Sequence, residues 1–427
     1  MRIAEPLQLP LGLACGAIAA LLLAVAPVGL SMALAIFSLL YVPSLLLLAR
    51  STFERRIFTA SVALRCVLAV VIYYSGVSDF FALDPVRYER LGGELAAYWS
   101  GAAPEAPAIY GRIGYYAWNA AIYLIVGQES LAPSLANAVI GGWCVILASR
   151  IARALSGDAA ARYAAVACAF WPSLVLWSSL NLKDAMAIFL ILFALLSVQR
   201  VSQRPVSALA CALTATAALA SIRGYMAVVL LSSISLGLLL PRLARTSLWL
   251  APAAVVALIL LPSLELFQEL ASEVSFEELS RTRGKLAAGA SAYFSEADLS
   301  TPRAALSFLP IGLTYFVLAP MPWHLLSGRQ LLVLPEMLAW YAVLIWVARG
   351  AISLLRNRFR DMLPVFLFAV TASVSYAMVE GNLGTVYRHR AQVLVPFLIF
   401  AAHGFAEARA GRSGSRASLE APVVSHA

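Results

Sequence analysis

The sequence is poor in charged residues and almost devoid of lysine. Only 12% of its 427 residues are charged, whereas a soluble chain of this length carries about a quarter. Lysine occurs only as Lys183 and Lys285, so nearly all of the basic charge is arginine. The mean hydropathy is +0.84. These values exclude an ordinary soluble globular protein and predict one that lies within a membrane.

Signatures of the common catalytic and nucleotide-binding sites are also missing. The chain has no Gly-rich phosphate loop, no GxSxG, no HExxH and no CxxC pair. Its five cysteines are scattered through apolar segments at no metal-like spacing, which is typical of small core residues and not of a disulfide framework or a thiol site. The energy for any reaction must therefore come with a substrate that the membrane carries.

Apolar stretches long enough to cross a bilayer recur along the chain. A helix needs roughly 20 residues to cross the hydrocarbon core. The sequence predicts an all-α polytopic membrane protein of about 12 spans, with further amphipathic helices at the surface. The predicted spans are 11–28, 30–49, 57–77, 131–149, 163–181, 183–199, 206–222, 225–240, 247–262, 331–348, 362–378 and 391–405.

Arginine clusters between the spans set the predicted topology. Short loops rich in arginine stay cytoplasmic, and the clusters then place both termini on the cytoplasmic side of the membrane. The net charge of +9 is thus a topology signal and gives no reason to expect nucleic acid. The Ala- and Arg-rich, Lys-poor composition is typical of a GC-rich bacterium, which indicates a multi-pass protein of the bacterial cytoplasmic (inner) membrane.

This topology leaves two large loops on the outer face, 78–130 and 263–330, and places the working face outside the cytoplasm. Residues 1–405 are predicted to form a single transmembrane domain, followed by a disordered cytoplasmic tail, 406–427. The stretch 308–323 is apolar but short and contains three prolines. We expect it to be re-entrant or interfacial, because a crossing would force the next arginine cluster outside.

The first outer loop carries a candidate base. Apolar residues recur at helical spacing after Pro85, which predicts an amphipathic helix along the membrane surface, and a second such stretch runs over 115–126. Asp84 has two interpretations. It is the N-cap of this helix, with Pro85 at the first helical position, or it is a surface carboxylate poised to accept a proton.

Two outer turns between spans carry charged side chains with ordinary structural explanations. Lys183 can extend to the interface while Asp184 caps the next span, and Arg223 can also extend to the interface. In the second large loop, Ser275 and Glu278 fit a capping box, which predicts the start of a helix. Arg65, inside the third span, is interpreted as structural.

The last outer turn, 380–390, favours a functional interpretation. It places Arg388, His389 and Arg390 on the side where topology disfavours positive charge, and misplaced membrane charge usually marks a site. A guanidinium group can donate two parallel hydrogen bonds to two oxygens of one phosphate. The turn is therefore a candidate phosphate-binding element.

The order of these features resembles the GT-C superfamily of membrane glycosyltransferases, which use polyprenyl-phosphate sugars. The resemblance covers roughly residues 57–405. It points to the bacterial branch related to protein mannosyltransferases and to the aminoarabinose and rhizobial lipopolysaccharide sugar transferases. The matching segments are Asp84-Pro85-Val86-Arg87-Tyr88, Tyr110-Gly111-Arg112-Ile113-Gly114-Tyr115, Gly127-Gln128-Glu129-Ser130, Trp171-Pro172, Asn181-Leu182-Lys183-Asp184 and Tyr387-Arg388-His389-Arg390.

The resemblance implies a catalytic base at Asp84 and a second acidic position at Asp184. Many relatives have a second acid directly after the first, where this chain has Pro85, and Asp79 is the nearest other acid upstream. This difference leaves the acceptor and a divalent metal open, and no other cofactor is implied. The implied or candidate substrate-binding residues are Tyr88, Lys183, Arg223, Arg388, His389 and Arg390.

The expected activity is an inverting transfer of a sugar from a polyprenyl-phosphate donor to a glycolipid, polysaccharide or protein acceptor of the cell envelope. One alternative is an O-antigen-type polysaccharide polymerase or ligase, which would depend on outer-loop arginine and histidine more than on Asp84. The other is a lipid or solute transporter, which should show charges deep in its spans, broken helices and internal repeats. Apart from Arg65 the spans are interpreted as nearly charge-free, which ranks the transporter last.

Overall fold

The computed structural model describes residues 28–246, 275–287, 291–321 and 328–419. Within these ranges the regular secondary structure is helical, apart from one isolated bridge between Ala292 and Asn382. The helices are α1 Val28–Pro43, α2 Thr52–Ser75, α3 Ser78–Phe81, α4 Asp84–Trp99, α5 Gly114–Val126, α6 Leu131–Ser156, α7 Asp158–Phe170, α8 Pro172–Ser178, α9 Asp184–Val198, α10 Pro205–Ala220, α11 Gly224–Thr246, α12 Phe276–Leu286, α13 Pro302–Leu318, α14 Gly328–Asn357, α15 Phe359–Val379 and α16 Leu383–Leu419. A π-helical turn, Ser44–Leu48, follows α1.

Seven helices in the described ranges are long and apolar enough to cross a membrane, and the bent pair α7–α8 would make an eighth span. The chain is therefore an all-α polytopic membrane protein, as predicted. Two predicted spans, 11–28 and 247–262, lie outside the described residues but for Val28. The predicted span 163–181 falls on the bent pair α7–α8, and each of the others overlaps a single α-helix. Helices α9 and α10, of 15 and 16 residues, are shorter than a simple crossing needs. The total of 12 spans stays a prediction.

Helix boundaries differ from the prediction at two places. The final helix continues to Leu419, so residues 406–419 are helical where a disordered tail was predicted, and 420–427 lie outside the described residues. Alanine and arginine are strong helix formers, which accounts for the extension. Residues 308–318 of the apolar stretch predicted over 308–323 belong to α13, which keeps Pro310 inside the helix, while 322–323 lie outside the described residues. The re-entrant character of the stretch stays a prediction.

The chain divides into two compact units. The first comprises Met1–Trp143 and Val175–Ala185, and the second comprises Cys144–Leu174 and Met186–Ala427. The single transmembrane domain of residues 1–405 stays a prediction.

The first unit contains the two helices predicted in the first large loop. Their existence is confirmed as α4 and α5, and their position on the membrane surface stays a prediction. The face of α4 that carries Tyr88, Leu91 and Leu95 is buried. A Cβ atom at Gly92 would lie only 2.7 Å from the Cβ of Asn119 on α5, so glycine at this position lets the two helices approach closely.

Arg65 is buried inside the first unit, and its hydrogen-bond partners come from the chain itself. It is 1% exposed. Its guanidinium donates to Ser178 Oγ at 2.8 Å, to Ser61 Oγ at 2.5 Å and to the Ser61 carbonyl at 3.1 Å. These bonds support the structural interpretation, since a buried charge needs hydrogen-bond partners.

In the second unit, close helix packing depends on small residues. A Cβ atom at Gly350 of α14 would meet the Phe400 carbonyl oxygen of α16 at 1.9 Å, and one at Gly404 would meet the Trp346 carbonyl oxygen at 2.6 Å. Glycine on both helices therefore brings the two backbones into contact, as membrane helices commonly do. Helix α15 packs against α11, α13 and α16 in the same unit, and its C-terminal end positions the site described next.

Candidate functional site

The first-loop acids lie on α3 and α4 of the first unit. Asp79 is exposed on the short helix α3, and Asp84 is half-buried as the first residue of α4. Leu83 occupies the cap position of α4 without a side-chain cap, and Pro85 follows in the first turn. The structure therefore places Leu83, and not Asp84, at the N-cap of α4. Asp84 is an acid of the first turn, where the helix dipole favours a carboxylate.

Tyr88 lies in an aromatic cluster between α4 and α5. Its ring packs edge-on against Tyr115 at 4.7 Å between centroids and contacts Tyr116 at 5.3 Å. Only 5% of Tyr88 is exposed. Its packing in the described structure is therefore that of a core residue, and its predicted role in substrate binding stays a prediction.

The turn that carries Lys183 and Asp184 is held by a buried amide network. Asn137 Nδ2 donates to the carbonyl oxygens of Leu180 at 2.8 Å and Leu182 at 2.9 Å, and Tyr115 Oη donates to Asn181 Oδ1 at 2.8 Å. Asp184 is fully buried at the first turn of α9, whereas Lys183 is half-buried. Burial, reinforced by neighbours that include Asp184, raises the pKa of Tyr115 well above its usual value.

The predicted arginine-rich outer turn is largely helical. Helix α16 begins at Leu383, so Arg388, His389 and Arg390 lie on its second turn and not in a loop. Side chains two residues apart on a helix do not face each other. The paired phosphate grip predicted for Arg388 and Arg390 is therefore disfavoured by the helix, and the three residues enter different surroundings.

Arg390 is buried inside the second unit. Its guanidinium donates to the Val317 carbonyl oxygen at 2.9 Å and to Met337 Sδ at 3.1 Å. Only 4% of the residue is exposed. Arg390 thus holds α13, α14 and α16 together, whereas Arg388 is half-buried.

The nearby carboxylate of Glu336 is saturated with hydrogen bonds from the chain itself. It accepts from Trp171 Nε1 at 2.7 Å, from Ser173 N at 2.8 Å and Oγ at 2.6 Å, and from Tyr387 Oη at 2.5 Å. Glu336 also attracts Arg390 electrostatically. The carboxylate caps the break between α7 and α8, where the helix axis bends by 58°, so it stabilises a discontinuous helix.

His389 faces a buried carboxylate at the end of α15. Nδ1 of His389 contacts Oε1 of Glu380, and Thr385 Oγ1 donates to Oε2 of the same carboxylate. The Tyr376 ring stacks on the imidazole at 5.1 Å with an interplanar angle of 21°. The result is a carboxylate–imidazole pair with a fixed ring orientation, which is a common arrangement for a general base.

A cation lies beside this pair. Burial by itself would raise the pKa of Glu380, but His389, Thr385 and Arg223 outweigh burial and hold that pKa below its usual value. Arg223 Nη1 donates to Tyr225 Oη at 3.0 Å, and that hydroxyl bonds to Tyr376 Oη at 3.3 Å. Arg223 is buried, so solvent screens its charge little where it acts on the carboxylate.

The structure therefore brings Arg223 and His389 of the predicted set together around Glu380, whereas Arg390 contacts α13 and α14. Sequence reasoning missed Glu380 and Glu336 as candidate residues. Glu336 had a readable signal, because it is an acid within the predicted span 331–348, where charge is rare. Glu380 lay in a turn that was already noted, but nothing in the local pattern indicated its contact with His389.

In the described part of the chain, no group of three or more His, Cys, Asp and Glu side chains is placed to hold a metal ion. Comparison of the chain with models of protein families, with curated proteins and with solved structures finds no match.

Proposed function

We propose that this chain is a membrane glycosyltransferase that moves a sugar from a polyprenyl-phosphate donor to a cell-envelope acceptor on the outer face of the cytoplasmic membrane. The observation that supports the proposal best is the Glu380–His389 pair with Arg223 beside it. The transfer needs a base for the acceptor hydroxyl and a cation for the departing phosphate. Both occur at helix ends in a protein whose other helices are apolar enough to border a lipid substrate.

In the proposed reaction, the acceptor oxygen attacks C1 of the sugar while the bond from C1 to the phosphate oxygen breaks. The electron pair of the broken bond leaves with the polyprenyl phosphate, and Arg223 is the cation that stabilises this charge. The acceptor proton passes to Nε2 of His389, since Nδ1 is turned to Glu380. Glu380 holds the ring and stabilises the imidazolium that forms, and the sugar inverts at C1.

Asp84 is the second candidate base, implied by the resemblance and located in the first unit. Its position in the first turn of α4 suits a carboxylate fixed by the helix start. The two candidates are separable by single substitutions, because each removes one base and leaves the other unit unchanged. Asp184 and Lys183 remain candidates in that first unit.

The proposal is tested by reconstituting the purified protein in lipid nanodiscs with a radiolabelled polyprenyl-phosphate sugar and a membrane extract of the source bacterium. We expect label to appear in the extract's glycolipid, polysaccharide or protein fraction. His389→Gln and Glu380→Gln should abolish most of this transfer, while Glu278→Gln, an acid of α12 paired with Arg281, should not. Absence of transfer by the parent protein would refute the proposal.

A polysaccharide polymerase or ligase is the second candidate, favoured by one observation. The second unit concentrates histidine and arginine around Glu380, namely His389, Arg223 and Arg283, as that alternative requires. It predicts activity with a lipid-linked oligosaccharide donor and indifference to Asp84→Asn. The transferase proposed above predicts activity with a polyprenyl-phosphate monosaccharide, and it depends on Asp84 only if Asp84 and not His389 is its base.

Two of the features expected of a transporter occur in the structure. The α7–α8 helix is broken, and Glu336 and Arg390 are buried within apolar helices. However, the four hydrogen bonds to Glu336 come from the chain itself, which favours a structural role over a site for cargo. We therefore keep the transporter third.

A further inference from the structure

The end of α15 is clamped by a segment of the second large loop. We call this segment the strap; it consists of the described residues between 280 and 294. Backbone hydrogen bonds join Tyr293 N to the Gly381 carbonyl at 2.8 Å and Leu383 N to the Ser291 carbonyl at 3.0 Å. A Cβ atom at Gly381 would lie 2.4 Å from the Cβ of Ala287, so the strap contacts the turn after α15 directly.

Two strap donors converge on one atom, the backbone carbonyl oxygen of Glu380. Arg283 Nη1 donates to it, and Tyr293 Oη donates to it at 2.8 Å. Arg283 Nη2 also donates to the Tyr293 carbonyl at 3.2 Å. The carbonyls at the end of a helix have no partner within that helix, so the strap supplies what the C-terminus of α15 lacks.

The guanidinium is fixed in place by its surroundings. Arg283 is 1% exposed, and its Cζ lies 4.3 Å from the centroid of the Phe308 ring and 5.3 Å from that of Tyr293. Burial lowers the pKa of Arg283, and Tyr293 and Glu380 act in the opposite direction. A planar guanidinium can donate to two carbonyls while it packs on an aromatic face, which a lysine ammonium cannot reproduce.

We infer that Arg283 is a positioning residue for the Glu380–His389 pair. Glu380 follows the last residue of α15 in extended backbone, so the helix itself does not fix the direction of its side chain. Arg283 and Tyr293 hold the carbonyl on one side, and the carboxylate is thereby directed to Thr385 and His389 on the other. The expected effect on catalysis rests on the proposed function, whereas the orientation of Glu380 rests on geometry alone.

The test compares Arg283→Met and Arg283→Lys with Arg281→Met, an exposed arginine of the same helix paired with Glu278. Each variant is placed in nanodiscs and assayed for transfer between pH 4 and 8 over a range of donor concentrations that extends to saturation. We expect Arg283→Met to lower kcat by about 10- to 100-fold with KM for the donor changed less than about threefold. Arg283→Lys should recover only part of kcat, and Arg281→Met should match the parent.

The pH dependence of the transfer rate distinguishes a positioning role of Arg283 from a purely structural one. The charged and titratable groups that face Glu380 are His389, Arg223, Arg283 and Tyr293. If Arg283→Met turns the carboxylate away from His389, the Glu380–His389 pair is broken, and the acid limb of the rate profile should shift because that limb reports the pair as a unit. A loss of kcat with an unchanged acid limb, or a lower melting temperature with full activity below it, would show that Arg283 only braces the fold.

A second measurement does not depend on activity. In protein labelled with ¹³C at glutamate carboxyls, the signal that disappears in Glu380→Gln belongs to Glu380. We expect its titration to move to higher pH in Arg283→Met and to stay in place in Arg281→Met. An unmoved titration would overturn the inference even if transfer is observed, and a moved one would support it even if the parent transfers no sugar.

Discussion

Nδ1 of His389 faces Oε1 of Glu380, which lies nine residues earlier on the far side of the turn between α15 and α16. The carboxylate is 1% exposed at its side chain and the imidazole 16%. A buried carboxylate that contacts an imidazole fixes which ring nitrogen remains for other chemistry. The pair therefore defines a directional proton acceptor at Nε2, provided that Glu380 keeps its position.

Replacing either member of the pair should remove most of the activity. Glu380→Gln retains the side-chain shape but cannot stabilise an imidazolium, and His389→Gln removes the proton acceptor. We expect each to lower kcat by roughly 100-fold or more, the usual scale for general base catalysis. The double variant should lose little more than either single one, because residues that act as a unit are not additive. Additive losses in transfer assays would contradict a joint role.

The Glu380 carboxyl should also make stability depend on pH. Its pKa is lowered in the folded protein relative to the ordinary value of 4.5. A group with a depressed folded pKa contributes stability that is present above its unfolded pKa and lost as pH falls through the folded one. Thermal unfolding between pH 3 and 6 should thus show an acid-side loss that is smaller in Glu380→Gln. Equal acid-side losses in parent and variant would be inconsistent with the depressed pKa.

Asp84→Asn tests the base in the first unit. Asparagine keeps the shape and the polar oxygen at the start of α4, so expression and folding should be preserved. If Asp84 is the base implied by the resemblance, turnover should fall by roughly 100-fold or more. Asp158→Asn, which changes the acid that opens α7, is the matched control. Parental turnover in Asp84→Asn would favour the helix-start role and the His389-dependent mechanism.

Local sequence patterns were enough to predict most helices. Pro85 and the apolar spacing after it predicted α4, and Ser275 with Glu278 predicted the start of α12, whose capping bond from Glu278 N to Ser275 Oγ is 3.1 Å. Both signals depend on residues within a few positions of each other. Helix starts and apolar lengths are such local properties, so they could be predicted without knowledge of the packing.

Contacts between distant residues could not be predicted in this way. Arg283 and Glu380 are 97 residues apart, and Trp171 and Glu336 are 165 apart. Each contact depends on how helices pack, which a single sequence does not specify residue by residue. Arg390 is an example. Its charge at an expected membrane surface predicted a phosphate ligand, whereas helix packing buries it and places its guanidinium against α13 and α14.

The predicted sides of the membrane can be tested at positions that the structure leaves free to label. Glu105 and Ser202 are exposed, and they lie in segments predicted outside and inside, respectively. After the five native cysteines are replaced, Glu105→Cys should react with an impermeant maleimide in intact cells and Ser202→Cys only after lysis. Gly101 is a poor choice because its φ of 78° disfavours a side chain. Labelling of Ser202→Cys in intact cells would reverse the assignment of sides.

Arg390→Met should reduce stability and leave donor binding in the folded fraction nearly unchanged. The substitution removes the donors to the Val317 carbonyl and to Met337 Sδ, and it leaves the Glu336 carboxylate without the guanidinium that attracts it. Leaving a buried acceptor without its charged donor typically costs about 1–3 kcal/mol. Arg388→Met, on the same helical turn but half-buried, is the control and should lower the stability much less.

Thermal unfolding in detergent measures the effect on stability, and titration with the polyprenyl-phosphate donor in nanodiscs measures the effect on donor binding. If Arg390→Met unfolds like the parent but binds the donor 10- to 100-fold more weakly, the span of a lost charge-assisted bond, then Arg390 is a phosphate ligand as the sequence predicted.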